Sequence, residues 1–334
     1  MMAKNLQHFG ILGAGAFGTA LAQALRRSGR QVTLWARDQA LVQSINDRRQ
    51  NQTYLPDIPL EPGIKATSNL QTLTECDALL LVTPAQHLRE VLLSLPPLRP
   101  EVPLVICAKG IERGTLALLS AVIAETLPGQ PFAVLSGPSF AVEVARGMPT
   151  AVTIAMADLT AARPLAEAIG NATLRPYLSQ DVIGTQIGGA VKNVLALACG
   201  IVEGKGIGDN ARAALITRGL SEMSRLGIAL GGRAETFMGL SGLGDLVLTC
   251  TGAQSRNMTL GYALGQGRTL AAVMAERRSV AEGVFSAAAV ASLAARHGIE
   301  MPICDAVHRI LDQGAAIDDA IRGLLSRPLR QEAI

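Results

Sequence analysis

The segment Phe9-Gly-Ile-Leu-Gly-Ala-Gly-Ala-Phe-Gly18 places three glycines in the spacing Gly13-x-Gly15-x-x-Gly18. An apolar run precedes this glycine turn (13–18) and a helix-like run, 19–27, follows it, which is typical of a strand, a turn and a helix. Gly13 permits a tight turn, Gly15 lets a ligand approach the backbone, and Gly18 lets the helix pack on the strand. Phosphate binds the free N–H groups at the start of such a helix. The turn predicts a dinucleotide site, whose expected contacts are Gly13, Gly15, Ala16, Phe17 and Gly18.

Apolar runs rich in β-forming residues recur through the first half of the chain, at 9–12, 32–35, 78–82, 104–107, 133–135 and 151–154. The runs are continuous and do not alternate with polar residues, which favours strands buried on both faces of a parallel sheet. Helix-like segments separate most of them. This pattern predicts an α/β fold with a Rossmann-like, doubly wound parallel sheet.

Proline marks the boundary between two kinds of sequence. Fourteen of the 16 prolines precede residue 180, and proline is tolerated in loops but breaks the interior of a helix. Five later segments have the pattern of helices, at 181–203, 210–230, 269–277, 286–297 and 302–313. We therefore expect a dinucleotide-binding domain over 1–180 and an all-α substrate and catalytic domain over 181–334.

Composition excludes several classes of partner. The net charge is only +3, and both halves of the chain carry nearly balanced charges, which argues against nucleic acid. The longest uncharged stretch, 5–25, is too rich in glycine and polar residues for a membrane span. The five cysteines form no CxxC pair and the four histidines are dispersed, so we expect neither disulfides nor a metal site. A cytoplasmic protein without a membrane anchor is the expectation.

The end of the second predicted strand, Trp35-Ala-Arg-Asp38, bears on the type of dinucleotide. An acidic residue at this point binds the ribose hydroxyls of NAD, whereas an arginine accommodates the 2′-phosphate of NADP. Arg37 favours NADP and Asp38 keeps NAD open, so the expected cofactor is NADP or NAD. The alternative is that Arg37 is a solvated loop residue.

Lys192 is one of only five lysines among 30 basic residues, and it lies in a long apolar segment. Unlike arginine, a buried lysine can release its proton. Steps of four residues place Gly184, Gly188, Ala196 and Gly200 on the same helix face as Lys192. We interpret this face of small residues as space for a ligand beside a catalytic ammonium. The alternative is close helix packing, with the lysine reaching the surface.

Two other charged residues are candidates for the same site. Lys109 follows the apolar run 104–107, and parallel sheets bind ligands at the carboxyl ends of their strands. Asp245 lies in apolar sequence and shares a face with Thr249 if the segment is helical. A buried carboxylate needs a partner, and Lys192 can provide it. A solvated Lys109 and an Asp245 that only caps a helix are the alternatives.

The tripeptide Ser255-Arg256-Asn257 immediately precedes a helix-like run. A hydroxyl, a guanidinium and an amide at the start of a helix form a candidate phosphate site. The alternative is a serine cap followed by a solvated arginine.

With these residues taken together, the chain resembles the NAD(P)-dependent glycerol-3-phosphate dehydrogenase family, of the bacterial type, from about residue 9 to about residue 310. The matching segments are 13–19, 108–112, 135–143, 190–193, 244–251, 255–257 and 280–283. The segments around Lys192 and from Gly244 to Asn257 are specific to this family, whereas the glycine turn is shared with many dehydrogenases. The chain departs from the common pattern at Ala16, Gly252 and Met258.

The resemblance implies roles for individual residues. Lys192 is implied to be the general acid and base at the C2 oxygen, Lys109 to bind both cofactor and substrate, and Asp245 to support the lysine. The implied substrate contacts are Lys109, Gly137, Ser139, Lys192, Asp245, Ser255, Arg256 and Asn257. Beyond the glycine turn, the implied cofactor contacts are Lys109, Ala141, Arg256, Val280 and Glu282.

The resemblance also implies the reaction. Dihydroxyacetone phosphate and sn-glycerol 3-phosphate are interconverted by hydride transfer with NAD(P)H, which supplies glycerol 3-phosphate for phospholipid synthesis. Charge develops on the ketone oxygen during reduction, and an ammonium donates a proton to it. We expect the enzyme to form a homodimer. A related two-domain 3-hydroxyacid or ketopantoate-type reductase, acting on carboxylates, is the nearest alternative, and a non-catalytic dinucleotide sensor is another.

Overall fold

The computed structural model of the chain describes residues 6–276, 281–328 and 331. The chain divides into two compact units. The first unit consists of Met1–Ala108 and Leu119–Val182, and the second consists of Lys109–Leu118 and Ile183–Ile334.

The first unit alternates strands and helices. Its strands are β1 (His8–Leu12), β2 (Gln31–Trp35), β3 (Gln50–Asn51), β4 (Leu55–Pro59), β5 (Ile64–Thr67), β6 (Ala78–Leu81), β7 (Leu104–Ile106), β8 (Phe132–Ser136), β9 (Thr150–Ala155) and β10 (Leu174–Ser179). Its helices are α1 (Ala16–Arg27), α2 (Gln39–Arg48), α3 (Leu88–Leu93), α4 (Leu119–Thr126), α5 (Ala141–Arg146) and α6 (Leu159–Ile169). Each of the six apolar runs found in the sequence forms a strand, so those predictions are confirmed.

Eight of the strands form one sheet in the order β10-β9-β8-β7-β6-β1-β2-β5, and β3 pairs with β4 in a separate hairpin. The Rossmann-like class is confirmed, but the expectation of a wholly parallel sheet is wrong at one point. β8 and β9 are antiparallel. A parallel return needs a long crossover connection, and the connection between these strands carries only the six-residue helix α5.

The position of β1 at the centre of the sheet determines where the glycine turn lies. Phe9 and Ile11 are completely buried in the apolar core of the first unit. β1 pairs with β2 on one side and with β6 on the other, both in parallel. The glycine turn therefore emerges at the carboxyl end of a central strand, where open α/β sheets bind their ligands.

From residue 183 onward, the described residues of the second unit form helices joined by short connections. Its helices are α7 (Val182–Gly204), α8 (Asp209–Ala229), α9 (Ala234–Met238), α10 (Asp245–Thr251), α11 (Arg256–Gly265), α12 (Leu270–Ala275), α13 (Glu282–Arg296), α14 (Pro302–Asp312) and α15 (Ile317–Leu325), with a π-helical turn at Leu240–Gly244. By length and composition α7 could cross a membrane, but 89% of the apolar window that meets this criterion is buried inside the protein. α7 is the core helix of this unit.

Residues 109–118, which we name the Lys109 arm, belong to the second unit. The division of the chain at residue 180 assigns them to the first domain, and that assignment is wrong. Ile111 is completely buried in the apolar core of the second unit, and Leu116 and Leu118 pack against the same core. Burial of these three apolar side chains explains why the arm packs with the helices.

Candidate active site

Two glycines of the glycine turn are required by the packing of the backbone. Gly13 has a φ of +118° and donates from its N–H to the carbonyl of Trp35, a conformation that favours glycine. A Cβ atom on Gly18 would lie 1.9 Å from the carbonyl oxygen of Gly13. These two residues allow α1 to pack tightly beside the end of β1.

Gly15 differs from its neighbours because nothing in the fold requires a glycine there. Its φ is −68°, and no described atom would lie within 4 Å of an added Cβ. The residue is also the N-cap of α1, so it has no side chain to satisfy the N–H groups of the first turn. The open space over Gly15, at the start of α1, fits a pyrophosphate that approaches the backbone closely.

Arg37 and Asp38 follow β2, and both side chains are exposed. Asp38 caps α2, since its Oδ1 accepts from the N–H groups of Ala40 at 2.8 Å and Leu41 at 3.4 Å. The carboxylate is therefore engaged in a helix cap, which is the ordinary use of aspartate at this position. Arg37 makes no hydrogen bond or ion pair with a described residue that would give it such a structural role.

Three other predicted residues lie at the carboxyl end of β8, also in the first unit. Gly137 has a φ of +126°, and Ser139 donates from its hydroxyl to the carbonyl of Gly137 at 3.0 Å. Ala141 begins α5. The segment thus forms a tight turn that ends at the start of a short helix.

The second unit brings together the three charged residues predicted to act in catalysis. Lys109 Nζ donates to Asp245 Oδ2 at 2.6 Å, and Lys192 Nζ donates to Asp245 Oδ1. Asp245 is completely buried, and the side chains of Lys109 and Lys192 are 16% and 9% exposed. One carboxylate therefore holds two ammonium groups in a site almost closed to water, and it does not cap α10.

The small residues beside Lys192 serve helix packing. A Cβ on Gly188 would lie 2.2 Å from the carbonyl oxygen of Ser241, and one on Gly200 would lie 2.1 Å from that of Met258. The interpretation of this face as space for a ligand is wrong at these two positions, because neighbouring backbone fills it. Close packing at Gly188 brings the π-helical turn, and with it Asp245, against the part of α7 that carries Lys192.

Burial sets the acidity of this cluster. Desolvation lowers the pKa of the Lys192 ammonium from 10.5 to about 7. The charge of Asp245 opposes this shift but only partly offsets it. Burial alone would raise the pKa of Asp245, but the charges of Lys109 and Lys192 outweigh it and hold that pKa below its usual value. Near neutral pH the cluster thus contains a carboxylate and a lysine poised to gain or lose a proton.

Two polar residues complete the surroundings of the lysines. Thr249 Oγ1 accepts from Lys192 Nζ at 2.9 Å and donates to the carbonyl of Asp245 at 2.6 Å. Asn193 Nδ2 donates to the carbonyls of Gly189 at 3.3 Å and Lys109 at 3.4 Å. The four-residue spacing from Asp245 to Thr249 is a signal of this contact in the sequence, whereas the bond from Asn193 to the Lys109 arm has none.

The predicted phosphate residues begin α11. Ser255 is its N-cap, with the hydroxyl accepting from the N–H of Met258 at 3.2 Å, and the side chain of Arg256 is exposed. Asn257 is buried, donates to Asn193 Oδ1 at 2.9 Å and accepts from the N–H of Gly283 at 2.9 Å. The serine cap proposed as the alternative is therefore present, and Asn257 links the start of α11 to α7 and α13.

The remaining predicted residues belong to the segment around α13. Glu282 is the first residue of that helix and is partly buried. Val280 lies outside the described residues.

Comparison with known proteins assigns the family. Models of the NAD-dependent glycerol-3-phosphate dehydrogenase N-terminus and C-terminus match residues 8–162 and 181–322. The chain is 59% identical over 332 residues to glycerol-3-phosphate dehydrogenase [NAD(P)+] of Parvibaculum lavamentivorans, covering 99% of this chain and 100% of the relative.

Solved structures agree with the family models. The crystal structure of glycerol-3-phosphate dehydrogenase from Coxiella burnetii superposes with a TM-score of 0.93 at 41% identity and covers 96% of this chain and 99% of that one. A ketopantoate reductase from Ralstonia eutropha covers 94% of this chain and 100% of its own, with a TM-score of 0.61 at 17% identity, which shows a shared fold alone. The chain belongs to the NAD-dependent glycerol-3-phosphate dehydrogenase family.

Proposed function

We propose that this NAD(P)-dependent oxidoreductase interconverts dihydroxyacetone phosphate and sn-glycerol 3-phosphate. The observation that carries the proposal is the buried group of Lys192, Asp245 and Lys109 in a chain of this family. Reduction of a ketone needs a proton donor beside the forming alkoxide. Lys192, whose pKa burial lowers to about 7, is suited to give that proton and to take it back.

The glycine turn holds the pyrophosphate of the cofactor in this proposal. The open approach to Gly15 and the first-turn N–H groups of α1 support it. Arg37 pairs with the 2′-phosphate of NADP, since Asp38 is engaged in capping α2. Further proposed cofactor contacts are Ala16, Phe17, Lys109, Ala141, Arg256, Val280 and Glu282. When bound, NADPH or NADH supplies the hydride.

The proton and the charge are handled by side chains of the second unit. Lys192 donates its proton to the oxygen on C2 as the carbonyl is reduced. Asp245 holds both ammonium groups in place, and the positive charge of Lys109 stabilises negative charge developing on the same oxygen. In the reverse direction, neutral Lys192 removes the hydroxyl proton of glycerol 3-phosphate.

The phosphate of the substrate binds at the start of α11. Arg256 supplies charge-assisted hydrogen bonds from its exposed guanidinium. The hydroxyl of Ser255 and the second N–H of the Asn257 side-chain amide lie beside it at the start of the helix. Gly137 and Ser139 are the proposed substrate contacts from the first unit. A substrate without phosphate loses these interactions, so it should react poorly.

We also propose a cellular setting. The protein acts in the cytoplasm as a homodimer and supplies glycerol 3-phosphate for phospholipid synthesis. Burial of α7 in the core of the second unit supports a protein without a membrane anchor.

A spectrophotometric assay tests the function. Purified protein should oxidise NADPH or NADH in the presence of dihydroxyacetone phosphate, and far more slowly with unphosphorylated dihydroxyacetone. Turnover of ketopantoate or a 3-oxo acid, without a requirement for substrate phosphate, would instead favour the carboxylate reductases that share the fold. Binding of NADPH without turnover of any of these ketones would favour a dinucleotide sensor.

A further inference from the structure

A buried asparagine outside every predicted site lies against the glycine turn. The side chain of Asn51 has no exposed surface. Its Nδ2 donates to the carbonyl of Ala14 at 2.9 Å and to Thr19 Oγ1 at 2.8 Å. Ala14 lies in the turn itself and Thr19 lies in the first turn of α1. One amide group thus connects the glycine turn to the helix that follows it.

Asn51, Thr19 and the carbonyl of Ala14 form a small hydrogen-bond network in which each contacts the other two. Thr19, which is also completely buried, donates from its hydroxyl to the carbonyl of Ala14 at 3.4 Å. Among the described residues the side chains of Asn51 and Thr19 donate to that carbonyl, and no backbone N–H does so. Both amide hydrogens of Asn51 are used, and their geometry fixes the direction of the Ala14 carbonyl.

The asparagine is itself held rigidly. It belongs to the hairpin of β3 and β4 (the Asn51 hairpin, Gln50–Pro59), and its Oδ1 accepts from the N–H of Tyr54 at 3.1 Å. Leu55 and Ile58 of the same hairpin are buried in the core of the first unit. The side-chain amide is therefore anchored before any ligand binds.

We propose that Asn51 is a positioning residue for cofactor binding, which holds the glycine turn in the form that receives the pyrophosphate. The inference rests on the proposed function of that turn. Gly13 and Gly18 set how closely the turn packs, but they do not fix the peptide planes between them. Fixing the carbonyl of Ala14 fixes the plane of the peptide whose N–H belongs to Gly15, and preorganised donors bind an anion more tightly than mobile ones.

The test is the dissociation constant of NADPH, measured by titration of the purified protein without substrate. Asn51→Ala should raise it at least about tenfold, because the turn loses its anchor and the Ala14 carbonyl loses a buried donor. At saturating NADPH, kcat and the KM for dihydroxyacetone phosphate should stay within about twofold of the wild type. Thr19→Val keeps the shape of the side chain, removes only the hydroxyl and should act in the same direction.

Asn171 provides the matched control. Its Nδ2 donates to the carbonyl of Ala24 at the other end of α1, and its Oδ1 accepts from the N–H groups of Thr173 and Leu174. Asn171→Ala removes the same kind of contact from the same helix, so it should lower stability and leave the dissociation constant of NADPH unchanged. An equal rise in the Asn171 and Asn51 variants would mean that Asn51 acts through stability alone and would overturn the inference.

Gly15→Ala separates this inference from the proposed function. A methyl group there would have no atom of the described residues within 4 Å, so it should weaken NADPH binding without loss of stability. If Gly15→Ala binds NADPH as well as the wild type, the proposed cofactor site is wrong. If it binds NADPH weakly while Thr19→Val and Asn51→Ala bind normally, only the role of Asn51 is wrong. Should Asn51→Ala fail to fold, Thr19→Val decides the question.

Discussion

At the scale of single residues, Lys192 carries the proposed proton transfer. Lys192→Met keeps apolar length and removes the charge, and Lys192→Arg keeps the charge on a larger group that does not release a proton near neutral pH. Each should lower kcat at least ~10²-fold, which is the low end for loss of a general acid. NADPH titration should show nearly unchanged affinity, because the glycine turn dominates cofactor binding. A fully active Lys192→Met protein would contradict the mechanism.

The pH dependence of the two directions follows from the same lysine. Ketone reduction needs the ammonium form and alcohol oxidation needs the amine, and burial lowers the pKa of Lys192 to about 7. We therefore expect kcat/KM for reduction to fall as the pH rises through about 7, and kcat/KM for oxidation to rise over the same range. The measurement is kcat/KM in each direction against pH. Profiles that bend in the same sense in both directions would refute the assignment.

Arg37 determines the preference between the two cofactors in our proposal. Arg37→Ala should weaken NADPH binding about tenfold to a hundredfold, as expected for loss of a charge-assisted pair. NADH, which lacks the 2′-phosphate, should bind nearly as before. The control is Asp38→Asn, which retains an oxygen to cap α2. Equal losses for NADPH and NADH in Arg37→Ala would place the 2′-phosphate elsewhere.

What the sequence predicts at this scale depends on charge. An isolated lysine and an isolated aspartate in apolar segments each need a partner when buried, so the pairing of Lys192 with Asp245 could be predicted. The bonding partners of Asn51 and Asn257 could not be predicted, because their amides bond to backbone groups and to other polar side chains far away in the chain. No periodicity or charge pattern indicates such partners.

At the scale of elements, α7 shows how one pattern admits two interpretations. A face of small residues is compatible with bound ligand and with a close neighbouring helix, and the sequence of α7 alone does not distinguish them. The structure favours packing at Gly188 and Gly200, where backbone carbonyls occupy the space. The success of strand prediction also differs between elements. The buried strands are continuous apolar runs and could be predicted, whereas the edge strands β5 and β10 are short or polar, with Pro176 inside β10, and could not.

Gly188→Ala tests the packing of α7. The added Cβ would lie 2.2 Å from the carbonyl oxygen of Ser241, so the turn that leads to Asp245 must move away. We expect a loss of stability of about 1–3 kcal/mol, typical of an overpacked core, and a lower kcat because the contact between Asp245 and Lys192 is disturbed. Urea unfolding and steady-state kinetics measure the two effects.

Gly323→Ala in α15 is the control for that substitution. Within the described part of the chain, no atom would lie within 4 Å of its Cβ, so replacing glycine by alanine in this helix should leave kcat unchanged and stabilise the protein slightly. Wild-type kcat in Gly188→Ala would show that the close approach at Gly188 does not position Asp245.

At the scale of the whole molecule, proline content predicts a change in architecture near residue 180, but the sequence does not predict the return of the Lys109 arm to the helical unit. The arm follows β7 directly, and its composition resembles an ordinary loop. Its place follows from tertiary contacts such as the burial of Ile111 and the bond from Lys109 to Asp245. A contact between residues 136 positions apart is a property of the tertiary fold, and the local sequence pattern does not predict it.

The pH dependence of global stability has a contribution from a second buried carboxylate, Glu222 of α8. Its side chain is 2% exposed and accepts from the N–H groups of Ile303 at 2.7 Å and Cys304 at 3.2 Å, at the start of α14. Burial raises the pKa of Glu222 from 4.5 to about 7, although both hydrogen bonds oppose the shift. The folded state therefore binds this proton more tightly than the unfolded state does.

The sign of the effect follows from that difference. Between about pH 4.5 and 7 the folded protein binds more protons at Glu222, so its contribution to stability is fully present at the acidic end and is lost as the pH rises through about 7. The shift corresponds to about 3 kcal/mol. Glu222→Gln does not titrate, so the difference in unfolding free energy between wild type and variant should change by about this amount across the range, with the wild type relatively more stable in acid. Urea unfolding at several pH values measures it, with exposed Glu235→Gln as the control, and a difference that stays constant with pH would refute the assignment.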